Sequence, residues 1–203
     1  MMHNSKLSLI DDIVLFLDGC SNQSRKKVII LTGGNSIQHL YNSEDFMRIL
    51  SKFDHILFSD DRLVPWGSPR SNIGSFLRKY KGSYERIVSL TTKFGLIDKN
   101  NCRLIESILY SSEFSIYAIS GFGLDGHVWS LFSKQDMHLK GTVVKTQFNE
   151  EGRVSLGFEV ASRLDRHVFI SSYEKASNYF GEFLNHNLLM FLNFIYLVDI
   201  EHE

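Results

Sequence analysis

Residues 115–132 read SIYAISGFGLDGHVWSLF, and the reading of this stretch decides the fold. SIYAI is a short apolar run of the kind a buried strand shows. Behind it, residues 121–127 hold three glycines, Asp125 and His127. Glycines allow a sharp turn where a strand ends. The segment that follows reads as a helix. Together they predict a histidine at the mouth of a sheet, just after a glycine-rich turn.

The same strand-then-helix pattern recurs outward from this segment. Residues 27–31 (KVIIL), 55–58 (HILF), 167–171 (HVFIS) and 194–198 (FIYLV) read as buried strands. Residues 5–17, 37–41, 46–50, 75–80, 102–110 and 173–184 read as helices. The alternating run RVSLGFEV, 153–160, reads as a strand at a sheet edge. Strands alternating with helices predict an α/β fold with a mostly parallel sheet, in a single domain over residues 1–203.

Composition excludes several classes of function. The chain has 203 residues and a net charge of −1, from 22 basic against 23 acidic residues, so no strong field calls for nucleic acid or an anionic membrane. Arg25-Lys26-Lys27, the longest basic run, reads as a solvated loop. Cys20 and Cys102 form no CxxC pair, and the N-terminus lacks a signal-peptide pattern, which points to a reduced, intracellular, cytoplasmic protein. The apolar run at 187–198 is short of the roughly 20 residues of a membrane span. The eight histidines show no ligand spacing such as HxxxH, and no metal site is expected.

Three polar clusters fall at predicted strand ends: TGGNS (32–36), SDDR (59–62) and residues 121–127. Ligands of such sheets bind beyond the carboxyl ends of the strands, so the three are expected to share one cleft. Gly33 and Gly34, with Asn35 and Ser36 at a helix start, suit a phosphate, although an ordinary turn capped by Ser36 fits too. Of the paired carboxylates, one is expected to face the cleft and the other to pair with Arg62. His127 suits proton transfer with Asp125 as its support; a helix-capping or core histidine is the blander alternative.

In order and spacing, these clusters resemble the 6-phosphogluconolactonase family within the glucosamine-6-phosphate isomerase/deaminase-like group. The carriers are Gly33-Gly34-Asn35-Ser36, then Asp60-Asp61-Arg62-Leu63-Val64-Pro65 with Ser71-Asn72, then residues 121–127 with Ser130-Leu131-Phe132. RVSLGF resembles the family's arginine-started strand, and Glu174-Lys175-Ala176 its lysine loop. The resemblance implies a Rossmann-like, three-layer fold of the NagB/RpiA type. It also implies cytoplasmic, cofactor-free hydrolysis of 6-phospho-D-glucono-1,5-lactone in the pentose phosphate pathway, with a small phosphosugar as the partner. His127 would be the general base and Asp125 its support. Arg62 would bind anionic oxygens, Asp60 and Asn72 would shape the sugar site, and Lys175 with the 34–36 backbone would hold the phosphate.

The chain departs from the family pattern at several places. Asn35 and Ile37 replace a serine and a proline, and Asp61 replaces a glutamate. Trp129 replaces a small residue, and Tyr173 replaces a glycine. Two other readings therefore stay open: a catalytically weak phosphosugar-binding protein, and an aminosugar-phosphate deaminase or isomerase. The latter enzymes usually carry a glutamate five residues past the histidine, where Phe132 stands here.

Overall fold

The computed structural model describes residues 2–3, 6–21, 25–171 and 194–198. Its centre is a seven-stranded sheet in the order β1-β10-β9-β6-β2-β3-β5. These strands are β1 (Met2–His3), β2 (Lys26–Leu31), β3 (His55–Phe58), β5 (Ile87–Val88), β6 (Phe114–Gly121), β9 (Arg166–Ser171) and β10 (Phe194–Val198). Every neighbouring pair is parallel. From β2 the chain moves to β3 and β5 on one side, then returns to β6 and moves to β9 and β10 on the other. The direction therefore reverses between β2 and β6, and a crevice opens where their carboxyl ends diverge.

Side-chain alternation along these strands divides the core in two. Ile29, Leu31, Ile56, Phe58, Tyr117 and Ile119 face one way and pack on α1 (Lys6–Ser21), α3 (Glu44–Leu50) and α4 (Asn72–Leu77). Val28, Ile30, Leu57, Ile116 and Ala118 face the other way, onto α5 (Lys99–Tyr110) and a second sheet. That sheet is three-stranded and antiparallel, in the order β4-β8-β7, from β4 (Asp60–Arg62), β7 (Val143–Phe148) and β8 (Glu151–Leu156). Ser59 is the junction between the sheets. Its N–H donates to Leu31 O in the large sheet, and its carbonyl accepts from Leu156 N in the small one.

Several expectations are corrected. The 153–160 run is not an edge strand of the main sheet. Its strand is the middle of the small sheet and ends at Leu156, because Gly157 turns against the Gly141 carbonyl, where a Cβ would lie at 2.1 Å. A 3-10 helix, Phe158–Arg163, follows. No helix begins at His127. Gly126 at φ 85° and Trp129 at φ 57° break any helical run, and the short α6 (Lys134–Met137) starts later, under a Ser133–Asp136 capping box. The basic run 25–27 leads into β2 instead of looping, with Arg25 paired to Asp165 at 2.8 Å. The helix expected at 173–184 lies outside the described residues.

One aromatic cluster ties α4 to the sheet. Phe76 is fully buried, with ring centroids 5.2 Å from Tyr41, 5.3 Å from Phe58 and 4.9 Å from Tyr80. Phe76→Ala is expected to cost about 3–5 kcal/mol of stability, the usual toll for emptying such a site. Urea denaturation measures it, and a loss below about 1 kcal/mol would show that the cluster closes over the gap.

Candidate active site

The three strand-end clusters do meet. A cleft of about 380 Å³ is lined by Thr32, Gly33, Gly34, Asp60, Arg62, Asn72, Gly121, Phe122, Gly123, Leu124, His127, Trp129 and Arg153. It lies at the direction reversal between β2 and β6. A larger concavity, about 440 Å³, is walled by Tyr41, Asn42, Glu44, Arg48, Lys79 and Lys81, away from the strand ends, and no polar groups of the clusters reach it.

The first wall is the glycine turn. A Cβ on Gly33 would lie 2.0 Å from the Asn72 carboxamide, so only glycine lets the two segments touch. Gly34, at φ 95°, is the N-cap of α2 (Asn35–Gln38) and accepts from the N–H groups of Ile37 and Gln38. Ser36 is therefore not the cap: the left-handed turn at Gly34 starts the helix two residues earlier. The side chains of Asn35 and Ser36 lie outside the described residues. Tyr41 braces the turn from behind by donating to Thr32 O at 2.7 Å.

The second wall is β4. Asp60 faces the cleft but is only 3% exposed, and three side chains donate to its carboxylate. Ser59 Oγ reaches Oδ1 at 2.7 Å, while Ser130 Oγ and Asn72 Nδ2 reach Oδ2 at 2.8 and 3.2 Å. Asp61 points the other way, as expected of adjacent strand residues, but it does not pair with the Arg62 guanidinium. Its Oδ1 instead accepts the backbone N–H groups of Arg62 and Asn72, and its Oδ2 accepts Ser71 Oγ at 3.1 Å. Burial pushes the Asp61 carboxyl up to about 6, against the lowering effect of those hydrogen bonds.

Arg62 turns to Glu151 instead, with Nε 3.1 Å from Oε2. Arg153 shares that oxygen at 3.3 Å, and Arg70 takes Oε1 at 2.6 Å. Arg62 and Arg153 stand directly opposite each other in the β4–β8 register. Like charges in that position are destabilising, and Arg153 is only 8% exposed. Its guanidinium is held below the usual arginine range, first by desolvation and then by Arg62. The buried Arg153 and the part-exposed Arg62 thus share one carboxylate oxygen of Glu151 at the cleft. The sequence reading flagged the arginine-started strand but missed Arg153 as a site residue, because the small sheet that aims it was not read.

The third wall carries the histidine. Gly123 N–H donates to His127 O, and Gly126 N–H to Gly123 O, closing a compact turn. A Cβ on Gly123 would fall 2.2 Å from the imidazole, so this glycine gives the ring its place. His127 Nδ1 lies 2.5 Å from Asp125 Oδ1. With Nδ1–H donating to that carboxylate, the Nε2 lone pair is left as the basic site. Trp129 does not plug the cleft. Its indole is buried, donates from Nε1 to Ser120 Oγ at 2.9 Å, and stacks on His167. Trp129 is one of the residues that line the cleft. Lys175, the remaining expected residue, lies outside the described residues. Among the described residues no three His, Cys, Asp or Glu side chains cluster as a metal site would.

A carboxyl raised from 3.8 to about 6 binds its proton more tightly folded than unfolded. Stability from this group is fully present below the unfolded value and falls as pH rises towards 6. Asp61→Asn keeps the acceptor for both backbone N–H groups and removes the charge. Relative to the parent, this variant should gain up to about 3 kcal/mol between about pH 4 and pH 7.5, read by urea denaturation. A gap that stays constant across this range would show that Asp61 titrates normally.

Residues 5–187 match the family described as Glucosamine-6-phosphate isomerases/6-phosphogluconolactonase. No protein with a curated description matches the sequence. The chain is similar to the solved 6-phosphogluconolactonase of Thermotoga maritima, with TM-score 0.69 and 20% identity over 83% of this chain and 81% of that one. It is also similar to the 6-phosphogluconolactonase of Trypanosoma brucei, with TM-score 0.73 and 16% identity over 98% and 94%. A monomeric glucosamine-6-phosphate deaminase gives TM-score 0.59 and 13% identity over 83% and 80%. At these identities the structural likeness speaks to the fold. A family match that runs through all three strand-end segments, from residue 5 to residue 187, makes the chain a member of the glucosamine-6-phosphate isomerase/6-phosphogluconolactonase family.

Proposed function

We propose that the chain hydrolyses 6-phospho-D-glucono-1,5-lactone, or a closely related phosphosugar lactone, to the open-chain phosphorylated acid. The observation that carries the proposal is the Asp125–His127 pair, 2.5 Å apart on a glycine-built turn beside two cleft arginines.

A lactone carbonyl is already electrophilic, so a positioned water, a base and a counter-charge suffice. His127 Nε2 takes a proton from water as its oxygen bonds to the carbonyl carbon. Asp125 stabilises the imidazolium that forms. Arg62 and Arg153 bind the substrate's anionic oxygens, those of the phosphate included, in the ground state and the transition state alike. The ring C–O bond then breaks, and His127 returns the proton to the departing ring oxygen. One water is added across one ester bond, and no metal takes part in any step. Asp60 and Asn72 shape the sugar site. Lys175 and the backbone N–H groups at 34–36 hold the phosphate, a remote handle whose binding energy orients the reacting end.

Phe132 supports this reading over a deaminase or isomerase, because it stands five residues past His127, where those enzymes usually carry a glutamate.

The test is hydrolysis of freshly generated 6-phosphogluconolactone, corrected for its spontaneous opening. The His127→Ala chain should lose about 10²–10⁴-fold in kcat, the usual worth of a general base. Wild-type rates no faster than background would reject the lactonase and favour a phosphosugar-binding protein. Lys175→Ala should raise KM for the phosphorylated lactone and leave unphosphorylated lactones unaffected. An equal loss on both would remove the phosphate role.

A further inference from the structure

Arg153 carries five N–H donors, yet hydrogen bonds barely hold it. One terminal nitrogen meets Glu151 Oε2 at 3.3 Å, and the buried Nε has no hydrogen-bond partner. Besides Glu151 and Arg62, two aromatic rings flank the guanidinium. Its central carbon lies 4.9 Å from the Phe132 ring centroid and 5.7 Å from that of Phe148. The two rings stack at 4.4 Å, and Phe132 also meets the His127 imidazole at 4.4 Å, tilted by 51°.

The hairpin explains how Phe148 arrives there. Phe148 pairs with Glu151 at the last register position of β7 and β8. Asn149 at φ 47° and Glu150 at φ 64° make the tight two-residue turn between them. Arg153 is the diagonal cross-strand neighbour of Phe148 on the same face, within reach of a ring. Phe148 is 37% exposed and belongs to neither core cluster, so core packing does not account for a phenylalanine at this position.

We infer that Phe148 is a positioning residue: with Phe132 it forms a two-ring shelf that aims the Arg153 guanidinium into the cleft. The shelf does by cation–π attraction and stacking what hydrogen bonds do at most buried arginines. Because the His127 ring contacts Phe132, the shelf also fixes the arginine side of the cleft relative to the base. The inference rests on the lactonase reading for its kinetic test and has a binding test independent of it.

In the full chain, Phe148→Ala, Phe148→Leu and Phe148→Tyr separate the ring from mere bulk. The alanine and leucine variants should raise KM for 6-phosphogluconolactone about tenfold while kcat changes less than about threefold, and tyrosine should restore KM. Leucine behaving as phenylalanine would overturn the inference, as would a loss in kcat at constant KM. Thermal stabilisation by inorganic phosphate should follow the same order, with Phe and Tyr above Leu and Ala. Should the wild type hydrolyse no lactone, the functional reading falls. The phosphate series then decides alone: a ring-dependent order upholds the shelf, and a ring-independent order or no stabilisation of the wild type rejects it.

Discussion

Asp61 Oδ1 accepts the backbone N–H of both Arg62 and Asn72, at 2.8 and 2.7 Å, and the cleft is built around this shared acceptor. The carboxylate orders the end of β4, which carries Asp60 and Arg62, and the start of α4, which carries Asn72. Asn72 passes the constraint on. Its amide reaches the Asp60 backbone carbonyl at 3.0 Å, and its side chain fills the space that Gly33 leaves open. One buried group thus sets the glycine turn, the paired carboxylates and the first arginine in a common frame. Neutralising it with an asparagine preserves the frame, whereas removing the acceptor would leave two buried N–H groups unsatisfied.

The site concentrates violations of ordinary folding preferences. Two arginines face each other across adjacent strands, a tryptophan holds a left-handed backbone, and a histidine is buried without charge. Burial pushes His167 down to about 3, so it stays neutral, and its Nε2 sits 2.8 Å from Ser120 Oγ. Its contribution to stability is lost as pH falls below its ordinary value of 6.5, opposite in sign to that of Asp61. Between about pH 4 and pH 6 the two slopes partly offset each other. Such local costs cluster where a protein must present chemistry, and the close packing of both core halves bears them.

Much of this was legible in the residues. Parallel-sheet strands are continuous apolar runs, and KVIIL, HILF and FIYLV showed themselves as such. The three polar clusters at their ends were found because strand ends and glycines mark where a parallel sheet binds ligands. The small sheet was not legible. VVKTQF has one apolar pair, three polar side chains and a lone phenylalanine, which is weak as a strand and finds its reason only in pairing with β8. With that sheet unread, Arg153, Glu151 and Phe148 had no place at the site. The expected helix after His127 failed for a local reason: the backbone at Gly126 and Trp129 is left-handed, and the histidine is presented by a turn closed on itself.

The chain has two tryptophans, and the fold gives them opposite surroundings. Trp129 is dry, stacked on a neutral imidazole, two residues from His127. Trp66 is half-buried and donates from Nε1 to Thr91 Oγ1, itself a hydrogen-bond partner of Asp61. The protein therefore carries two optical reporters in unlike surroundings: Trp129, which lines the cleft, and Trp66, which lies outside that lining and is joined to Asp61 through Thr91. Blue-shifted emission is expected from the first and redder emission from the second. Ligand entry beside Trp129 can then be followed by intrinsic fluorescence, without a label or a coupled enzyme.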